Sequence, residues 1–374
     1  MTAVEVVNLV IGFLAILIAI LMFWSLPVPG FSSSDHGSLP FLSIIIPARN
    51  ESRRIAPLLQ SLQEQNFQSF EVLVVDDNSS DNTAAVAKAY GTKVIQNKIN
   101  DLESGAGKSL ACWYGAKHAK GKWLLFLDAD TYFTNADSMK HLLLYYQRKG
   151  AKGIVSLQPF HTVRCMYENF SAVFNIIVIV GMNTFTVWRS RFKTAGSFGP
   201  CILCNSDDYF LSGGHKKIQG AIMDDLALGQ AFLDKNLPVY CLGGKGVISF
   251  RMYPEGLKSL VEGWCKSFAV GSKSTHPVVM LMTIIWISGS FIITGALFSS
   301  ITALNPAAMT FSGILYILYT LQTAWFARRC GDFRWFIFPF HPVLFLFFTG
   351  IYLYSLFRVN ILHSVKWKDR KINV

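Results

Sequence analysis

Four long apolar runs and one long polar stretch divide this chain. Val4–Trp24 holds a single charge, Glu5, and Val278–Ser299, Ala307–Ala327 and Trp335–Phe357 hold none. Each is about long enough to cross the hydrocarbon core as a helix. Pro339 and Pro342 interrupt the last run. That run therefore reads either as a span or as a re-entrant segment broken at its prolines. Between the first run and the second lies Phe31–His276, patterned like a soluble domain. The expected division is an anchor over residues 1–30, a polar domain over 31–276 and a membrane domain with a basic tail over 277–374.

Within the polar domain, strands and helices alternate. Phe41–Ile46 is apolar apart from Ser43, as in a strand buried on both faces. Ile55, Leu58, Leu59 and Leu62 then repeat at helical spacing. Glu71–Val75 predicts a second buried strand that ends in Asp76-Asp77. Asp81 can cap the next helix and Gly91 can close it. Lys93–Gln96 reads as a short strand, Gly105–Gly107 opens a helix to about Lys120, and Trp123–Leu127 is another strand. This order predicts an α/β fold with a doubly wound, mostly parallel sheet. Ligands bind such sheets at the carboxyl ends of the strands. Pro47–Glu51, Asp76-Asp77 and Asp128–Asp130 all fall there.

Composition adds the membrane. The chain is 52% hydrophobic and 15% charged, against about 25% charged for ordinary soluble domains. Its net charge is +11. The basic residues accompany the apolar runs and no nucleic-acid motif occurs, so the partner implied is a membrane bilayer and not nucleic acid. Arg328, Arg329 and Arg334 precede the last run, whereas Thr302–Pro306 carries no charge. The positive-inside rule puts the first of these loops in the cytoplasm and the second outside. The polar domain is then cytoplasmic and the protein a multi-pass one of the cell membrane. A full last span would carry the tail Lys366–Lys371 outside, which the same rule disfavours. No Lys or Arg precedes the first run and no cleavage site follows it, so an anchor is expected rather than a signal peptide. With seven cysteines in a cytoplasmic setting, disulfides are not expected. Cys201-Ile-Leu-Cys204 reads as buried strand cysteines.

Phe170–Trp188 is uncharged over 19 residues. A span here would separate Asp225 from Asp130 across the bilayer. An interfacial or re-entrant helix is expected instead, with a buried core helix as the alternative. Glu255–Gly271 reads as an amphipathic helix with Leu257, Leu260, Val261, Trp264 and Phe268 on one stripe.

Asp128-Ala129-Asp130 carries the chemistry. Two carboxylates at i, i+2 at a strand end can hold Mg²⁺ or Mn²⁺ against a diphosphate, because these ions take oxygen ligands and share their shell with phosphate and water. Alone, the pair could equally be a helix cap. In order along the chain stand Ile44–Glu51, Val74–Asp81, Gly107-Lys108-Ser109 and Asp128-Ala129-Asp130. Together they resemble the signatures of family 2 glycosyltransferases, inverting enzymes of GT-A fold that use nucleotide sugars. The resemblance covers about residues 40–265. It implies that Pro47 and Glu51 border the uridine pocket and that Asp77 contacts uracil or ribose. Lys108 would lie near the nucleotide, Asp128 would meet ribose or metal, and Asp130 would ligate the metal. A UDP-sugar is the implied donor.

Met223-Asp224-Asp225-Leu226 resembles the family's general-base motif, which makes Asp225 the first candidate and Asp224 the second. Gly213-Gly214 resembles a glycine pair near the acceptor, although a tight turn explains it equally well. Trp264 is the third acceptor-side candidate. It stands where processive members carry Gln-x-x-Arg-Trp, a motif that Glu262–Lys266 lacks. That departure implies transfer of a single sugar. Gln158–His161, Phe170–Asn175, Phe198-Gly199-Pro200, Ser212–Lys216, Phe250–Tyr253 and Val365–Lys368 resemble a narrower branch that glucosylates carotenoid acids. A hydrophobic lipid or carotenoid acceptor follows from that resemblance. A polyprenyl phosphate or glycerolipid acceptor, and a non-catalytic or transport protein, are the alternatives.

Overall fold

A computed structural model describes residues 1–30, 38–97, 107–221, 223–360, 364–367 and 370–373. Gly105 and Ala106, expected to open the helix toward Lys120, lie outside the described residues. The chain forms two compact units. One comprises Pro27–Thr162 and Thr194–Met252, the other Met1–Leu26, Val163–Lys193 and Tyr253–Val374. The second unit therefore takes in two stretches that the sequence had assigned to the polar domain.

The first unit is an α/β sandwich. Its strands are β1 (Leu42–Ala48), β2 (Phe70–Asp76), β3 (Lys93–Gln96), β4 (Trp123–Leu127), β5 (Thr131–Phe133), β6 (Ile154–Gln158), β7 (Phe160–His161), β8 (Cys201–Asn205), β9 (Val239–Gly243) and β10 (Ile248–Phe250). Seven of them form one sheet in the order β3-β2-β1-β4-β8-β6-β9. The pairings of β1 with β2 and β4, of β2 with β3, and of β6 with β9 are parallel. Only β8 runs against its neighbours β4 and β6. The sheet is mostly parallel, as the alternation predicts, and the fold is GT-A.

Alternate strand residues feed two cores. Ile44 and Ile46 face one with Leu58, Leu59 and Leu142, and Ile45 faces the other with Val75, Ala111 and Phe232. Burial on both faces is why β4 reads as an unbroken apolar run and β1 as one broken only by Ser43. The helix Gly107–His118 lies close to the sheet because Gly115 has no side chain: a Cβ there would come 2.5 Å from Cγ2 of Ile45. The parallel register sets Ala48 opposite Asp76. The loops after β1, β2 and β4 thus leave the sheet along one edge. β5, β10 and β7 form a small second sheet.

The second unit is helical. Ala3–Met22, Pro277–Thr302 and Trp335–Val359 are long and apolar enough to cross a membrane. Pro306–Cys330 is a helix of 25 residues. It carries Thr310, Thr320, Gln322 and Thr323 and is less apolar than the other three, so it is not among these candidates. The run Phe170–Trp188 does not form the one interfacial helix expected of it. Met166–Ser171 is a 3-10 turn, Ala172–Val180 a helix of nine residues, and Asn183 has a φ of 69°. Nine residues rise only about 14 Å. The short helix is a core element: Phe174 is fully buried and stacks on Trp264 with ring centroids 4.9 Å apart. Trp264 also donates from Nε1 to the Ser171 hydroxyl at 3.0 Å. Trp264, expected beside the acceptor, is placed by its contacts in this packed interior.

Candidate active site

β4 ends in a tight turn that presents the paired aspartates. The Asp128 backbone N–H donates to the Pro200 carbonyl at 3.0 Å, and the Thr131 N–H and hydroxyl both donate to the Asp128 carbonyl, at 3.1 and 2.8 Å. That backbone anchoring leaves the Asp128 carboxylate available to Lys108, in the first turn of the helix Gly107–His118. Lys108 Nζ lies 2.8 Å from Asp128 Oδ1 and 3.1 Å from Oδ2. It also lies 3.6 Å from Asp225 Oδ1. One ammonium therefore joins two carboxylates that are almost a hundred residues apart in sequence. Burial opposes the charge on Lys108, but Asp128, Asp225 and Asp224 outweigh it and hold its pKa well above the usual lysine range.

Asp224 and Asp225 open the helix Asp224–Leu233, where carboxylates complement the helix dipole. The segment before β8 fixes this end. Ser197 Oγ donates to the Asp225 carbonyl at 2.7 Å, and Gly199 lies against the Asp225 carboxyl group. Asp130 is half-buried. Burial, then the charges of Asp128 and Glu51, push its pKa up to about 7 against the opposing pull of Arg54 and Lys108.

The loops after β1 and β2 are stitched together beside this cluster. Asn50 Oδ1 accepts from the Ser80 N–H at 2.8 Å, and the Glu51 N–H donates to Thr83 Oγ1 at 2.8 Å. The Glu51 carboxylate lies 3.7 Å from Arg54. Asp81 accepts from the N–H groups of Ser52 and Thr83, at 3.2 and 3.0 Å, and from the Thr83 hydroxyl. Burial opposes its charge, yet these bonds lower its pKa to about 2. Asp76 turns inward to the Ser79 N–H and to Gln96 Nε2. Asp77 takes Asn97 Nδ2 at 3.0 Å and Arg49 at 3.6 Å. Of the two, Asp76 supports the turn, and Asp77 is paired with side chains at the sheet edge. Pro47 lies in β1 opposite Val75.

The structure thus gathers Asp128, Lys108 and Asp225 into one cluster, with Asp130 and Asp224 in its electrostatic reach. Gly213 and Gly214 are placed at a turn. Gly213 ends the helix Ser206–Ser212 with a φ of 86°, and a Cβ on Gly214 would meet the Tyr209 ring at 2.5 Å. Cys201 and Cys204 are buried on opposite sides of β8, where burial raises both thiol pKa values. They are strand cysteines, as expected. Arg49, Arg54, Asn97, Ser197 and Gly199 were given no role from the sequence. Asn97 was within reach of it, since it directly follows the expected strand Lys93–Gln96.

Among the described residues, no three His, Cys, Asp or Glu side chains converge as a ready metal cage. The carboxylates nevertheless suit a hard dication. Burial first, and then the charges of Asp128 and Glu51, raise the Asp130 pKa, and a bound dication would offset that crowding of negative charge, with diphosphate oxygens and water completing its shell.

The model of glycosyl transferase family 2 matches residues 43–193. Over 336 residues the chain is 38% identical to the 4,4'-diaponeurosporenoate glycosyltransferase of Staphylococcus aureus strain MRSA252, covering 89% of this chain and 88% of that one. The protein of the same name from strain USA300 matches to the same extent. Among solved structures, a mannosyltransferase from Pyrobaculum calidifontis in complex with GDP-Man and Mn²⁺ superposes with a TM-score of 0.52 at 14% identity, over 95% of this chain and 98% of that one.

Proposed function

This chain belongs to glycosyl transferase family 2, and we propose that it moves one glucose from UDP-glucose onto the carboxylate of a C30 carotenoid acid, 4,4'-diaponeurosporenoate, in the membrane. The observation that carries the chemistry is the single lysine joining Asp128 to Asp225. It ties the end of β4, where the donor's diphosphate would lie, to the helix that would face the acceptor. The acceptor is taken from the relatives' name. An acid bearing a long apolar chain also suits a protein with three helices long and apolar enough to cross a membrane.

In the reaction, a carboxylate oxygen attacks the anomeric carbon as its bond to the UDP oxygen breaks. The configuration inverts, UDP departs as an anion, and a glucosyl ester forms. A carotenoid acid resembles a free carboxyl with a pKa of about 4, so it arrives ionised and no proton is removed. Asp225, and Asp224 beside it, then orient the acceptor or sugar. Pro47, Glu51 and Asp77 border the uridine pocket, and Lys108 holds the turn that carries Asp128. Asp130, with Asp128, would hold Mg²⁺ or Mn²⁺, whose charge offsets that growing on the leaving diphosphate. A sugar is transferred once, in keeping with the missing Gln-x-x-Arg-Trp motif at Glu262–Lys266. The enzyme is proposed to be a multi-pass protein of the cell membrane with its α/β unit in the cytoplasm, given the basic loop at Arg328, Arg329 and Arg334.

A second reading rests on Met223-Asp224-Asp225-Leu226, which resembles the family's general-base motif, and a base is needed when the acceptor is a lipid alcohol. One experiment separates the two. Membranes containing the enzyme are fed labelled UDP-glucose and the acceptor acid, and the lipid product is treated with mild alkali. Release of labelled glucose with recovery of the free acid is expected for an ester. A labelled lipid that survives alkali would overturn the carboxylate acceptor.

A further inference from the structure

Within the helical unit, and resting on the membrane placement above, we propose that Trp335–Val359 does not cross the bilayer. It dips to the midplane and returns to the side it came from. Pro306–Cys330, the less apolar helix, is then the third span.

Three helices define a frame with two ends. At one end Asn305 Nδ2 donates to the Glu5 carboxylate at 3.3 Å, and the hydroxyls of Ser300 and Ser312 lie 3.2 Å apart. At the other end the Phe23 and Phe326 rings are 5.0 Å apart, and the Arg329 guanidinium lies 4.9 Å from the Phe23 ring centroid. Between the ends, Gln322 Nε2 donates to the Ile16 carbonyl at 2.7 Å. Ala3–Met22, Pro277–Thr302 and Pro306–Cys330 therefore run the full height together. The helix Pro277–Thr302 has 26 residues, about 39 Å at 1.5 Å per residue.

Trp335–Val359 is tied at both ends to one pair of mutually bonded segments, 163–171 and 253–265. Before it, the Asp332 carboxylate accepts from the Val163 N–H at 2.5 Å, and Arg334 donates from its backbone to Asn169 Oδ1 at 2.9 Å and from Nη2 to the Arg164 carbonyl at 3.3 Å. Near its other end, Ser355 Oγ donates to the Cys265 carbonyl at 2.5 Å. These two anchoring stretches are themselves joined. The Tyr167 hydroxyl donates to the Tyr253 carbonyl at 2.9 Å, and Trp264 Nε1 donates to Ser171 at 3.0 Å. The segment thus leaves and rejoins the same pair of segments.

Its turning point lies at half height. The Ser290 hydroxyl and His341 Nδ1 are 2.7 Å apart, and the Tyr316 hydroxyl donates to the Pro339 carbonyl at 2.6 Å. Ser290 is thirteen residues from Pro277, about 20 Å along that helix. From there the contacts retreat. Phe345 meets Trp286 at 4.8 Å, and Phe348 meets Phe174 at 5.0 Å and Phe268 at 5.4 Å, all between ring centroids.

The chemistry at the turn fits this depth. Non-helical backbone inside a bilayer is tolerated only where protein covers its polar groups. The change from the 3-10 turn Trp335–Phe340 to the helix His341–Asn360 is such a break, flanked by two prolines that cannot donate. Tyr316 covers the carbonyl exposed there. Trp335, Phe340, Val343 and Leu346 are exposed and would meet the acyl chains of a single leaflet. The charges agree. A hairpin keeps the basic tail residues Lys366, Arg370 and Lys371 on the side of Arg328, Arg329 and Arg334, as the positive-inside rule favours.

The test is thiol labelling of the full chain in sealed vesicles with a membrane-impermeant maleimide. Cys165 is the exposed cysteine and the other six are buried, so Cys165→Ser provides the background. Single cysteines are then introduced by Lys140→Cys in the α/β unit, by Leu304→Cys in the connection Ala303–Asn305, and as an extra residue after Val374. The expected result is that the Lys140 and tail sites label from one face and the Leu304 site from the other. A tail that labels with Leu304 would overturn the hairpin. Leu304 labelling on the same face as Lys140 would instead overturn the membrane placement, and the hairpin with it.

Discussion

Gly199 lies so close to Asp225 that a Cβ added to the glycine would fall 1.9 Å from the carboxyl carbon of the aspartate. The same strap makes two further close approaches to this helix. A Cβ on Gly196 would come 2.5 Å from Cα of Leu226, and one on Gly229 would come 2.3 Å from the Ser197 nitrogen. Strap and helix meet backbone to backbone, and the strap continues to Pro200, whose carbonyl takes the Asp128 N–H. The spacing between the Asp225 helix and the end of β4 that carries Asp128 is therefore set by main chain.

Gly199→Ala should displace the Asp225 carboxylate and lower kcat about tenfold or more, since small misplacements of a group that orients a reactant are costly. The KM for UDP-glucose should stay unchanged. Asp225→Ala leaves nothing at that position for the new methyl to strike. The double variant should then be no slower than Asp225→Ala alone. Initial rates of the four proteins settle the matter, and additive losses would show that Gly199 does not act through Asp225.

Asp130→Asn should retain the fold and lose most transfer, because an amide is a poorer ligand than a carboxylate for a hard dication. A chelator should silence the native enzyme, and Mg²⁺ or Mn²⁺ should restore it. Full activity in chelator would remove the metal from the paired aspartates.

What the sequence disclosed follows from how local each signal is. Trp123–Leu127 and Lys93–Gln96 coincide with β4 and β3, and β1 and β2 differ by one or two residues at their ends. Strands buried on both faces announce themselves as apolar runs bounded by polar turns. The insertion of β8 between β4 and β6 was not legible, because Trp123 pairs with Asn205, 82 residues further along the chain. Phe170–Trp188 misled for a different reason. Lack of charge speaks to burial, and burial among Trp264, Phe268 and Phe348 looks the same in sequence as burial in lipid. In the site, Asp128 and Lys108 stood out through their motifs, and Asp225 entered through family resemblance. Gly199 carries no chemistry of its own, so nothing in its type pointed to the carboxylate above it.

His215 provides a pH test of the fold around Asp224. It is buried, its Nδ1 lies 2.9 Å from the Tyr209 hydroxyl, and burial lowers its pKa from 6.5 to about 3, with Lys108 adding to the shift and Asp224 opposing it. The folded protein keeps this ring neutral where the unfolded chain would protonate it. Between pH 6.5 and about 3, unfolding therefore takes up a proton, and stability falls as pH falls, by up to about 1.4 kcal/mol per unit. Above pH 6.5 the group contributes no slope. His215→Gln retains a polar partner for Tyr209 and removes the titration. Its apparent unfolding temperature in detergent should change less between pH 6.5 and 4.5 than that of the native protein. An equal change in both would show that His215 is not the group responsible.

The role of Asp225 separates the two acceptor classes. A hydroxyl acceptor is not ionised at neutral pH, so its proton must be removed in the transition state, and losing the base typically costs about 10²–10⁴-fold. A carboxylic acid acceptor with a pKa of about 4 is already an anion. For that acceptor Asp225 orients, and its own charge, shared with Lys108 at 3.6 Å, adds nothing to proton transfer. Asp225→Asn keeps the shape and removes the charge. With the carotenoid acid and saturating UDP-glucose, its rate should fall by less than about 10²-fold and stay flat between about pH 6 and 8. With a lipid alcohol the full loss should appear. The measurement is initial rate against pH for the native and variant enzymes, with acceptor binding followed separately. A loss beyond about 10³-fold on the acid, at unchanged binding, means that the group lost acted in the transition state. The carboxylate mechanism would then give way to the lipid-alcohol reading.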